Sequence, residues 1–130
     1  MSFIEITGMD EVQEPQLAPE GQYDLRITYA QDYVNDKGTP LVRCSIAFDG
    51  HPEYANMNYW IVLPQEDLDQ DANTKRILAV KRFLVLFNVP FENGFNVEDL
   101  LGATGTAFVA QSEADEDGNI YNELRVPKID

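Results

Sequence analysis

From Gln22 onward polar and apolar residues alternate strictly. Tyr23, Leu25, Ile27 and Tyr29 fall on one side and Gln22, Asp24, Arg26 and Thr28 on the other, the two-residue period of a strand with one buried face. Asn35-Asp36-Lys37-Gly38 supplies a turn, since Gly accepts positive φ without steric cost. A second strand is expected from Leu41 to Phe48, with Val42, Cys44, Ile46 and Phe48 inward and Arg43 and Ser45 opposite. After Asp49-Gly50 and the loop His51–Asn56, a third runs from Met57 to Leu63. Met57, Tyr59, Ile61 and Leu63 share one of its faces, and Asn58, Trp60 and Val62 the other. Apolar residues on both faces predict a central position.

The period then changes. Ile77, Val80, Leu84 and Phe87 recur at i, i+3, i+7 and i+10, predicting a helix over residues 72–88. Asn73 or Thr74 is the expected N-cap, and Pro90 the stop, because it lacks an N–H and disfavours helical geometry at Val89. Strand-like sequence returns at Thr104–Gln111 and, after a turn at residues 113–119, at Ile120–Val126. Ile120, Leu124 and Val126 share a face with Asn122 there. Three strands, a helix and two strands is the order of an OB-fold, a five-stranded Greek-key barrel with its helix between strands three and four. The expected class is thus mainly β. Residues 21–130 form the barrel domain, preceded by an acidic N-terminal arm, residues 1–20, with a short edge strand.

A chain of 130 residues suits one core. No run reaches the roughly 18 apolar residues of a membrane span, and the start lacks the basic and apolar regions of a signal peptide. One cysteine cannot form an internal disulfide, so a cytoplasmic setting without membrane association is expected. The net charge of −14 counts against nucleic acid until it is located. Glu5, Asp10, Glu11, Glu14 and Glu20 lie in the arm; Glu66, Asp67, Asp69 and Asp71 precede the helix; Glu113, Asp115, Glu116 and Asp117 form the last turn. These segments hold no base, and the remaining 10 acids nearly balance the 9 Lys and Arg.

Signals for catalysis are weak. His51 stands alone, and no second His or Cys completes a zinc site. Gly102-Ala-Thr-Gly105 precedes a strand rather than a helix, unlike a phosphate loop. In Asp115–Asn119 the glycine comes too early for an EF-hand and no closing Glu follows, so a hairpin turn is expected. Cys44 reads as a small core residue. No enzymatic role, cofactor or metal is therefore expected. Binding is better supported. OB-folds hold oligonucleotides on the face of strands two and three and the adjoining loops, stacking bases on aromatic rings and following phosphates with Lys and Arg. The candidates here are Trp60, Tyr59 and Arg43, with Tyr33 and Lys37 from the first loop, Arg26 from strand one, and Tyr121 and Arg125 from strand five. Trp60 is expected to point outward. Lys75, Arg76, Lys81 and Arg82 read as the ordinary polar face of the helix.

Four motifs also form a set: Pro19-Glu-Gly-Gln-Tyr23-Asp-Leu, Lys81-Arg-Phe-Leu-Val-Leu-Phe-Asn-Val-Pro90, Asp99-Leu-Leu-Gly102 and Asp117-Gly-Asn-Ile-Tyr121-Asn122. In order and spacing they resemble a bacteriophage family long catalogued as a domain of unknown function, itself similar to phage single-stranded-DNA-binding OB-fold proteins of replication and recombination modules. The likeness covers about residues 19–127. It implies a protein that coats single-stranded DNA with little sequence preference in the infected bacterial cytoplasm, with phage or host replication and recombination proteins as further partners. Many proteins of that function end in an acidic tail that recruits partners. Val-Pro-Lys-Ile-Asp130 departs from that pattern, which implies that recruitment is absent or shared by the acidic arm. The rival expectation is an acidic interaction module, or DNA mimic, that blocks a host DNA-binding protein.

Overall fold

The computed structural model describes residues 2–129. Among them lie five strands: Gly21–Val34 (β1), Pro40–Phe48 (β2), Met57–Val62 (β3), Thr104–Gln111 (β4) and Asn122–Leu124 (β5). A single α-helix, Gln70–Leu86 (α1), falls between β3 and β4 as the pattern predicts. All pairings between these five strands are antiparallel, in the order β3-β2-β1-β4-β5. β3, expected to be central, is instead an end strand, and α1 packs against it. It approaches the other end strand, β5, curling the sheet into a nearly closed, OB-like barrel.

β1 is much longer than its alternation suggested because it serves both halves of the barrel. Gly21–Arg26 pair with β4, and Leu25–Val34 pair with β2. Between Ile27 and Tyr29 the ladder slips. An extra residue in one strand breaks the two-residue period and reverses which side chains face in. Leu25 and Ile27 are wholly buried, but Tyr29 is turned out, against expectation, and Ala30 takes the inward place.

α1 is capped one turn earlier than predicted. Asp69, not Asn73 or Thr74, accepts the Ala72 N–H at 2.7 Å. Asn73 instead ties the preceding loop, accepting from Gln65 N and donating to Gln65 O. At the other end Val89 N–H reaches Leu84 O and Asn88 N–H reaches Val85 O, with Asn88 at φ 57°. These are the two bonds of a Schellman cap, with Asn in the left-handed position before Pro90.

The buried face of α1 is Val80, Phe83, Leu84 and Phe87. Ile77, expected on it, is 54% exposed. Arg76 takes the inward place at i−4 from Val80, its guanidinium donating to Leu63 O at 3.0 Å and Gln65 Oε1 at 2.9 Å. A polar anchor thus replaces the first apolar residue of the stripe. Phe83 and Phe87 meet Leu25, Ile27, Val42, Ile46 and Val109 in one core. Gly105 on β4 lies so close to the end of α1 that an added Cβ would overlap the Leu86 carbonyl oxygen.

The arm divides into two parts. Residues 2–14 are exposed and carry only a 3₁₀ turn, Met9–Glu11. The expected edge strand is reduced to one bridge, where Gln16 pairs with Tyr54. From there on the segment is docked, and Ala18 is wholly buried. Asn122 grips it, accepting Ala18 N–H and donating to Ala18 O, both at 2.9 Å. That clamp explains a polar residue on an otherwise apolar strand face. β5 is shorter than the predicted Ile120–Val126, and Ile120 is exposed.

Candidate nucleic-acid interface

The bulge in β1 determines what the barrel presents on its outer face. Beyond it Tyr29, Gln31 and Tyr33 point outward. Register then aligns Gln31, Arg43 and Trp60 across β1, β2 and β3. Trp60 and Tyr33 are each 42% exposed, with ring centres 5.6 Å apart and planes tilted by 58°. The Arg43 guanidinium lies 5.6 Å from the centre of the Trp60 ring, within range of a cation–π attraction. Leu41, between Tyr33 and Val62 in register, is 7% exposed although it stands outside the interior cluster. It forms an apolar floor on the outer face.

The loop after β1 borders this face and is rigidly built. Asn35 Oδ1 accepts the N–H groups of Lys37 and Thr39 at 3.0 and 2.9 Å, and Gly38 sits at φ +82°. Lys37 is exposed at its tip and forms no ion pair among the described residues. Tyr33, Lys37, Arg43 and Trp60 thus belong to one end of one sheet face. Tyr29 and Gln31 join them, linked by a bond from the Tyr29 hydroxyl to Gln31 Oε1. Strict alternation assigned Tyr29 to the core, and only the bulge reveals it.

The other candidates lie elsewhere. Tyr59 faces inward and stacks on Phe83, with centres 4.6 Å apart and planes 11° from parallel. Burial, and secondarily Cys44, raises its hydroxyl pKa, and the ring packs against the core rather than on the outer face. Arg26 lies before the bulge, five residues or roughly 16 Å along β1 from Gln31. It is held by Asp49 at 3.1 Å and by Gly102 O at 3.2 Å. Arg125, past β5, donates its backbone N–H to Phe108 O at 3.0 Å, and its guanidinium lies 3.7 Å from Glu123. Tyr121 is 58% exposed and lines a groove of about 360 Å³ between Pro15–Leu17, Ala55–Asn58 and its own strand end. Asn58, in that groove, shares the outer face of β3 with Trp60, so the groove adjoins the Trp60 surface.

The groups considered for chemistry are structurally committed. Burial pushes the Cys44 thiol up to about 12. His51 bonds Glu53 at 3.0 Å and stacks on Tyr54. Gly102 N–H and Ala103 N–H bond Ile27 O and Leu100 O and present no phosphate cradle. Asp115 Oδ1 accepts the N–H groups of Asp117 and Asn119, closing its own turn. What the Trp60 face offers is two open rings, a guanidinium and a nearby ammonium: surfaces for a planar base and donors for a phosphate. No family model matches this chain, and no curated protein matches it significantly.

Proposed function

We propose that this chain is a non-enzymatic single-stranded-DNA-binding protein of phage replication or recombination type, acting in the cytoplasm of an infected bacterium. The observation that carries the reading is the exposed pair Tyr33 and Trp60 on one rigid sheet face, with Arg43 beside the indole. Every base has a π-face, so stacking on such rings tolerates any sequence and is worth roughly 1–3 kcal/mol per base. Arg43 and Lys37 then meet phosphates. The sequence resemblance supplies the phage setting, and replication or recombination proteins are the further partners it suggests.

Net charge favours a second reading. With 23 acids against 9 bases the chain suits an acidic module that occupies a DNA-binding protein's site. Titration of the intact protein with labelled oligo-dT at two salt concentrations separates the two. Binding that weakens as salt rises and quenches Trp60 emission supports DNA coating. Absence of binding at low salt rejects it and leaves the mimic.

A further inference from the structure

Two surfaces of this chain are unmatched within it and complementary to each other. The first is the exposed arm. Phe3, Ile4, Ile6, Met9 and Val12 are 60–94% exposed, interleaved with Glu5, Asp10, Glu11 and Glu14 and with no base. Single exposed apolar residues are ordinary, but five large ones within ten positions are a binding segment in want of a surface. The second is the outward side of α1. Leu78 and Val85 are 39% and 43% exposed at i and i+7, with Ile77 beside them. Lys75 and Lys81 are exposed among them and form no ion pair among the described residues. The Nε of the neighbouring Arg82 is shielded from solvent and has no acceptor. In a protein of net charge −14, three of the nine bases, none ion-paired among the described residues, share one helix face.

We propose that the arm of one copy docks on the outward face of α1 of a second copy. Apolar residues of the arm would cover Leu78, Val85 and Ile77, while its carboxylates meet Lys75, Lys81 and Arg82. The reach is sufficient. Thirteen extended residues span up to about 43 Å, whereas the face from Lys75 to Val85 is only about 15 Å long. The lysines set between apolar residues suit an acidic, apolar peptide better than a bare phosphate chain. Docking of this kind is heterologous, so each bound copy still offers a free arm and a free helix face, and copies can add in a row. The inference does not rest on DNA binding.

The test is made without DNA. In sedimentation velocity the intact protein should show a mass that rises with concentration and falls back towards the monomer at high salt. Lys75→Glu/Lys81→Glu and, separately, Asp10→Lys/Glu11→Lys should each reduce self-association tenfold or more, with unchanged circular dichroism. In a mixture the unaltered acidic arm of the helix variant can dock on the unaltered helix face of the arm variant, which should restore association, a result that misfolding cannot produce. A monomer at every concentration and salt would overturn the proposal, as would association indifferent to both variants or a mixture that stays dissociated. A separate oligo-dT titration covers the remaining case. If the helix variant loses DNA affinity with no change in mass, the face serves phosphate and the docking proposal is wrong.

Discussion

Tyr33 and Trp60 lie on strands that do not pair, yet their ring centres are 5.6 Å apart. β2 runs between them, and neighbouring strands are about 4.8 Å apart, so the two rings must lean together across it. The bulge between Ile27 and Tyr29 makes this possible. Without it Tyr33 would keep the phase of Leu25 and Ile27 and point to the opposite face. One irregular residue pair in β1 therefore converts a lone tryptophan into a two-ring platform.

Replacing Trp60 by Ala should weaken oligo-dT binding about tenfold or more, the loss of one stacked base. Stability should fall by less than about 2 kcal/mol, because a 42% exposed side chain leaves no closed cavity. Fluorescence anisotropy gives the first quantity and a urea melt the second. The native indole should emit at long wavelength and be quenched by DNA. A blue-shifted emission that ignores DNA would refute the platform.

Arg43→Gln removes the guanidinium beside the indole while keeping a polar side chain of similar reach. Each phosphate contact on a single strand contributes about 0.7 to the slope of log K against log salt. The variant should lower that slope by about this amount and weaken binding alike for oligo-dT and a mixed sequence. Equal slopes in variant and parent would show that Arg43 touches no phosphate.

Much of the architecture is legible in sequence because period alone carries it. Met57, Tyr59 and Ile61 alternate with Asn58, Trp60 and Val62, and β3 places Met57 and Ile61 in the core and Trp60 outside. What escaped depends on partners distant in the chain. The bulge is defined by β2 across the ladder, not by Thr28 or Tyr29 themselves. Arg76 displaced Ile77 from the buried stripe because Leu63 and Gln65 supply it with acceptors. Asn122 is a polar residue on an otherwise apolar strand face because its partner, Ala18, lies 104 positions away. The candidate site was half legible: Trp60, Tyr33, Arg43 and Lys37 gather on or beside one face, whereas Tyr59 is inward and Arg26 is paired with Asp49.

Gly105→Ala tests the closest approach between β4 and α1. Were there room, a Gly→Ala change at a compatible backbone would stabilise the fold by about 0.4–1 kcal/mol. Here the added Cβ meets the Leu86 carbonyl and Phe87 Cα, which are backbone and cannot swing aside. A loss of about 1–3 kcal/mol is expected, as for overpacking. Urea unfolding decides by sign alone, since a more stable variant would mean that the strand and helix can part freely.

Cys44 predicts how stability responds to alkali. Its thiol is wholly buried and its pKa is pushed up to about 12 from an ordinary value of 9.0. Folding therefore holds the proton on, and above pH 9 the unfolded chain binds fewer protons than the folded one. Stability must then fall as pH rises through that window, with a limiting slope of about 1.4 kcal/mol per unit for a single group. Tyr59, opposite Cys44 in register, is raised mainly by burial and adds a contribution of the same sign from about pH 10. The contribution of Cys44 is fully present below pH 9. Cys44→Ala isolates it. The variant should be less stable near pH 7 through lost packing, yet decline less steeply between about pH 9 and 10.5, before tyrosine ionisation takes over. Urea melts of both proteins across that range give the two slopes. Parallel slopes would mean that the thiol ionises alike folded and unfolded, and that water reaches Cys44 in the native barrel.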